Sequence, residues 1–200
     1  MKITPKAGLL ILTLVIPALI FTFLRFFARN HYDLPYFNPV TTADGRVKVV
    51  NGDTTFRQIP SICNSDISTP GKLTIVYPFE VKSADSLEMI SSKLQRLEDL
   101  RTEIDNIQLV ILPVESSISM SPGLDPKVWK VLAKQGMPIS ECINSLYGDK
   151  AAHLVLIDSQ GFTRGYYKIG DAEDSDRLMA ELKILQYQKI RISRYGNTDD

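Results

Sequence analysis

"LTIVYPFEVKSADSLEMISSKLQRL", Leu73 to Leu97, changes its period halfway along. The first seven residues are β-branched, aromatic and continuously apolar, the pattern of a central strand buried on both faces. Polar residues follow Pro78, and then Leu87, Ile90, Leu94, Leu97 and Ile104 recur at three- to four-residue or longer helical spacing, which makes one apolar stripe. Asp85 is placed to cap that helix, and Glu88, three residues on, completes a capping box. "NIQLVILPV", Asn106 to Val114, is a second buried strand. Strand, helix and strand of these lengths form a βαβ unit, so the two strands run parallel.

Downstream, Pro126 suits the first turn of a helix over "KVWKVLAKQG" that stops at Gly136. "MPISECINSLYGDKAA", Met137 to Ala152, gives no clear assignment. "HLVLID" and "FTRGYYKI" flank "SQG", which predicts a hairpin with Gly161 at positive φ. "SDRLMAELKILQYQKI" sets Leu178, Leu182 and Leu185 on one face of a closing helix, and the tail from Ser193 is polar. The order βαβ, helix, hairpin, helix predicts an α/β fold of the thioredoxin-like type, a mixed sheet flanked by helices.

Upstream, "HYDLPYFNPVTTADGRVKVVNGDTTFRQIPS", His31 to Ser61, is polar and broken by Pro and Gly. It reads as a juxtamembrane linker with short edge strands at 47–50 and 54–58. The linker reading comes from what precedes it. No charge occurs from Ala7 to Leu24, and the apolar character runs on through Ala28. Roughly 20 helical residues cross a hydrocarbon core, whereas the apolar region of a cleaved signal peptide is usually about 7–15 residues. No small-x-small cleavage site follows, so an uncleaved signal anchor is expected. Pro17 is tolerated in such a helix. Lys2 and Lys6 before the span nearly balance Arg25 and Arg29 after it, so charge leaves the orientation open. The expected organisation is a tail over 1–6, a transmembrane anchor over 7–27, a linker over 28–58, a domain over 59–192 and a polar tail over 193–200.

Lys+Arg and Asp+Glu both number 23, so the net charge is zero. A nucleic-acid binder needs a basic face, and no nucleic-acid partner is expected. Two cysteines, Cys63 and Cys142, and two histidines, His31 and His153, make neither a disulfide framework nor a spaced metal cluster. Cys63 and Cys142 either pair as a staple in an oxidising compartment or stand apart as small buried residues. His31 falls with Tyr32 and Tyr36 in an interfacial belt. "DAEDSD", Asp171 to Asp176, lacks the ligand alternation of a calcium loop and suits the start of a helix instead. There is no catalytic triad motif, phosphate-cradling glycine loop or H-E-x-x-H.

"HLVLIDSQGFTRGYYKIGDAEDSDRLMAELKIL" resembles a stretch of the Sco/SenC family, whose members often carry "LVLVD-x-x-G-x-I-R-G-Y-Y-D-G-T", an acidic turn and a "DRL"-type helix. "NHYDLPYF", Asn30 to Phe37, is similar to the segment that follows the anchor in such members. The resemblance runs from the anchor to the last helix and is weak between Ser116 and Asp149. It implies a membrane-anchored, thioredoxin-like copper chaperone of cytochrome c oxidase assembly, in the inner membrane with its domain facing the periplasm or an equivalent space. The family site takes C-x-x-x-C in the loop after the first core strand and a histidine before the hairpin strand. Ser83 and Leu87 fall on the cysteine positions and Lys150 on the histidine position. Copper(I) favours thiolate and imidazole, which a hydroxyl, an alkyl chain and an ammonium do not replace. His153 is offset by three from the ligand position, and an odd offset on a strand turns a side chain to the other face. The expectation is a non-catalytic, partner-binding member without a cofactor. Two alternatives stay open: a copper or thiol-redox factor that uses Cys63 and Cys142, and an unrelated membrane-tethered binding module.

Overall fold

The computed structural model describes residues 13, 15–23, 33–79, 94, 95, 97–99, 101–113, 125, 127–132, 136–148, 154–168 and 170–195, with the backbone alone from 189. The chain divides into two units, Met1–Asp33 and Leu34–Asp200. In the first, residues 15–23 are helical with every side chain exposed, Phe21 and Leu19 among them. The Thr22 hydroxyl donates to the Ala18 carbonyl at 2.7 Å. The anchor expected over 7–27 lies for the most part outside the described residues. Among the described residues no helix is long and apolar enough to cross a membrane.

The second unit is built on a five-stranded sheet. Strands β3 (Leu73–Phe79), β4 (Ile107–Pro113), β5 (Trp129–Val131), β6 (Leu154–Ile157) and β7 (Thr163–Tyr167) lie in the order β5-β4-β3-β6-β7. β3, β4 and β5 run parallel, and β6 and β7 are antiparallel additions on the other side of β3. A parallel pair leading to an antiparallel hairpin and a closing helix is the thioredoxin-like arrangement. The parallel strands β3 and β4, the hairpin and the last helix, α2 (Ala172–Tyr195), stand where the sequence predicts them. Between β3 and β4 the chain is helical at residues 94, 95, 97–99 and 101–103, whereas the expected capping box of Asp85 and Glu88 lies outside the described residues.

Alternation along the strands divides the core in two. Leu73, Ile75, Tyr77 and Phe79 face one side, with Leu109, Leu156, Tyr167, the helical residues Leu94, Leu97, Leu178, Leu182 and Leu185, and Ile104 in the bend before β4. Val76, Val110, Leu112, Val155 and Ile157 face the other, against Ile62, Cys63, Cys142 and Leu146. Successive strand residues point to opposite faces, so a strand covered on both sides must be apolar throughout. Ile75, Leu109 and Leu156 are fully buried, and each side chain of this kind contributes about 1.5–3 kcal/mol.

The hairpin turn forms through Asp158. Its Oδ1 accepts the backbone N–H groups of Gln160 and Phe162, each at 2.9 Å. Gly161 has φ +89°, and a Cβ there would stand 3.0 Å from the Ile59 carbonyl oxygen, so both backbone conformation and space demand glycine.

The structure departs from or adds to the sequence reading in three places. "KVWKVLAKQG" contains the edge strand β5, not a helix across 127–136. Val128, Trp129 and Val131 are β-formers, and β4 offers a free edge on which Trp129 pairs with Leu109 and is buried. Gly136 serves a close approach of two backbone segments. Its backbone passes against Asn64, donating to the Cys63 carbonyl at 3.1 Å, and a Cβ there would clash with Asn64. The unassigned stretch after Met137 contains α1 (Ile139–Tyr147), which buries Cys142, Leu146 and Tyr147. Residues 34–58 are part of the compact unit, not a free linker. The Phe37 amide donates to the Thr163 carbonyl at 3.0 Å, and Tyr36 stacks on Phe56 and meets Phe162 edge-on. The same segment carries a small ribbon, β1 (Val49–Val50) and β2 (Asp53–Thr54), shorter than the expected strands over 47–50 and 54–58.

Candidate functional site

β3 ends at Phe79 and β6 begins at Leu154 on the neighbouring antiparallel strand, in a register that pairs Val76 with Val155 and Thr74 with Ile157. The end of β3 and the start of β6 therefore share one edge of the sheet. Ser83 and Leu87 follow β3 and Lys150 precedes β6, so both segments spring from that edge. Ser83, Leu87 and Lys150 themselves lie outside the described residues, as do His31 and His153. At the end of β3, Tyr77 and Phe79 pack edge-on with ring centroids 5.9 Å apart. Burial pushes the Tyr77 phenol up to about 12. Nearby in the same layer, the buried Trp129 indole N–H donates to Glu98 Oε1 at 2.7 Å. No thiolate is available at this edge from sequence, because Cys63 and Cys142 are the chain's two cysteines and neither falls in these segments. A hydroxyl, an alkyl chain and an ammonium do not fit a soft copper ion.

The cysteines belong to the opposite layer, where they are joined in a disulfide. Their Cα atoms are 5.1 Å apart, within the usual span of a bridge. Cys63 sits in a tight 3-10 turn, Ile62–Asn64, with φ 52°, and Cys142 lies in the first turn of α1. Both are buried, Cys63 at 3% and Cys142 at 0% exposure, among Ile62, Val76, Leu146 and Val155. The reading of two separate buried cysteines is thereby overturned. The helical spacing of Ile139, Cys142, Ile143 and Leu146 was the available signal that Cys142 faces the core. The pairing with Cys63 across 79 residues left no mark in local sequence. Exchange requires a thiolate with access to a sulfur, and these two sulfurs are bonded to each other and shielded.

A polar network that the sequence reading missed fastens residues 34–38 to β7. The Arg164 guanidinium forms a buried ion pair with Asp158 at 3.5 Å, donates to the Leu34 carbonyl at 2.9 Å and lies 3.7 Å over the Tyr36 ring. The Asn38 side chain donates to the Thr163 hydroxyl at 3.3 Å and accepts from the Tyr166 hydroxyl at 2.9 Å. At the other end of the hairpin, "DAEDSD" does what helix-start acids do. Asp171 Oδ1 accepts the Glu173 amide at 2.9 Å. Asp174 Oδ2 accepts the Lys168 amide at 2.8 Å, and that bond holds the Asp174 carboxyl below its ordinary range. Among the described residues no three acidic, histidine or cysteine side chains gather as metal ligands.

No family model matches the chain, and no curated protein matches it. Solved structures similar to it include Sco/SenC proteins. One is a SCO1/SenC family lipoprotein from Bacillus anthracis, 14% identical, covering 78% of this chain and 96% of that one with a TM-score of 0.42. Another is BsSco, a member of the Sco family of cytochrome c oxidase assembly proteins, 11% identical, covering 76% and 94% with a TM-score of 0.42. A third is ScoI of Bradyrhizobium japonicum with copper bound, 15% identical, covering 58% and 87% with a TM-score of 0.37.

Proposed function

We propose that this chain is a divergent, membrane-tethered Sco/SenC-like protein that acts by binding a partner protein and has lost the copper and thiol chemistry of its fold. The observation that carries the reading is the fate of its sulfur. The family cysteine positions hold Ser83 and Leu87, and the two cysteines the chain does possess are bonded to each other in the core. That pairing also weighs against the reading in which Cys63 and Cys142 replace the lost motif, because neither is a thiolate within reach of a metal or a substrate disulfide.

The disulfide supports an extracytoplasmic location as well. Bridges of this kind persist in oxidising compartments and are rare where thiols are kept reduced. A domain facing the periplasm or an equivalent space, held by an anchor over 7–27, meets that condition. Participation in copper-centre or respiratory oxidase assembly is what the resemblance implies. The partner is then an assembly factor or an intact family member.

The test is copper competition on the full-length chain in mild detergent. The unmodified protein is expected to hold no stoichiometric Cu(I) against a chelator that an intact family member withstands. Combined replacement Ser83→Cys, Leu87→Cys and Lys150→His should create a copper site on the shared sheet edge. Single and double replacements should do clearly less, because fewer soft ligands leave the metal open to competitors. Tight copper binding by the unmodified chain would overturn the proposal. A folded triple variant without copper affinity would refute the placement of these three positions.

A further inference from the structure

Near the N-terminal ends of the parallel strands, two cations converge on one neutral oxygen. Lys72 Nζ donates to Gln108 Oε1 at 3.4 Å, and Lys130 Nζ donates to the same oxygen at 3.0 Å. The two ammonium groups are thus at most 6.4 Å apart (3.4 plus 3.0 Å). Gln108 does not adapt to them by chance. It is 4% exposed, and its Nε2 donates to the Ser68 carbonyl at 3.2 Å and to the buried Thr74 hydroxyl at 3.5 Å. These bonds fix the amide plane and aim Oε1 at the lysines. Among the described residues no carboxylate forms an ion pair with either ammonium.

Two like charges held side by side on one neutral oxygen repel each other, and an added anion relieves the repulsion. Each ammonium carries three N–H donors, of which Gln108 takes one. With the two ammonium nitrogens no more than 6.4 Å apart, the remaining donors of both can reach one bridging oxyanion.

We propose that Lys72, Lys130 and Gln108 form an oxyanion site for the carboxylate of an Asp or Glu side chain on a partner protein. The proposal rests on the partner-binding reading and gives it a docking point, at the end of the sheet opposite the one where β3 ends and β6 begins. A carboxylate is favoured over an anionic membrane surface because the chain has zero net charge. Two lysines in a chain with no excess of positive charge supply a local contact and little long-range attraction.

The experiment uses the full-length chain in zwitterionic detergent, with lysine side-chain NMR signals followed during titration with acetate, phosphate and chloride at constant ionic strength. Acetate is expected to shift the Lys72 and Lys130 signals and the Gln108 amide along a saturating curve, while Lys48 and Lys127 show only a weak linear drift. Lys130→Gln should abolish saturation at Lys72 and leave the backbone spectrum otherwise unchanged, since Lys130 is exposed. Equal shifts with chloride, or identical behaviour at Lys48, would overturn the site. Response to phosphate but not acetate, with binding to anionic vesicles that Lys72→Gln/Lys130→Gln removes, would replace the carboxylate by a phosphate headgroup and overturn the protein partner. The titration needs no partner and no copper, so its failure leaves the lost-site reading to be judged by copper competition alone.

Discussion

Opening the Cys63–Cys142 bridge removes a constraint that spans 79 residues. In the chain-entropy account, closing a loop of about 80 residues restricts the unfolded ensemble by about 4.5 kcal/mol at 25 °C. A domain's whole stability is about 5–15 kcal/mol, so the bridge supplies a large share of it. For about 160 residues a loss of that size lowers the melting temperature by about 9–18 °C. The assay is urea unfolding of the full chain in mild detergent, followed by the fluorescence of Trp129, the single tryptophan and a buried one. Three samples are compared: the oxidised protein, the protein with a phosphine reductant, and the Cys63→Ala/Cys142→Ala variant. Reductant should lower the midpoint of the wild type and leave the variant unmoved. The denaturant slope should steepen on reduction, because an unbridged unfolded chain exposes more surface. A wild-type midpoint indifferent to reductant would refute the reasoning, as would thiol labelling of the folded, unreduced protein.

Asp158→Asn strips the charge partner from the buried Arg164 and should cost about 3–5 kcal/mol by denaturant unfolding. Arg164→Met added to that variant should restore part of the loss, and a double variant less stable than Asp158→Asn would sink the argument. Tyr77, Tyr147, Tyr166 and Tyr167 are all raised above 10.0, chiefly by burial. Their neutral forms are favoured in the fold, so the stability they contribute is complete below pH 10 and is lost as pH rises from 10 through 12 and beyond. Ultraviolet titration should show a block of phenols that ionise only as the protein unfolds, and four phenols ionising freely at pH 10 would contradict it.

The elements legible in sequence were those whose patterns are dictated from both faces at once. β3 and β4 had to be apolar throughout because a layer covers each side, and Gly161 was legible because no other residue takes that turn. β5 was not legible, since three residues between Pro126 and Gly136 satisfy a helix template equally well, and only the open edge of β4 decides the matter. α1 begins after Pro138 without a side-chain cap, so its start carries no local signal. Residues 34–38 look like a tether because their partners, Thr163, Arg164 and Tyr166, lie more than a hundred positions away. A separation of 79 residues likewise hid the disulfide. Of the candidate site, the absence of soft ligands at 83, 87 and 150 was readable from residue types alone, whereas the commitment of both cysteines to one bond needed three dimensions.

The fastening of the N-terminal segment onto β7 has a consequence for self-association. The Thr163 carbonyl is taken by Phe37 and the Tyr166 carbonyl by Arg177, and the bridge between Gln58 and Phe162 covers the turn below. β7 ends the sheet on that side, and β5 ends it on the other. Fibre growth by strand addition needs two open margins on every subunit, one to receive and one to offer. With the β7 margin occupied by the chain's own entry, β5 is the margin of the five-stranded sheet left for pairing among the described residues, and edge pairing through it alone gives a closed pair rather than a growing fibre.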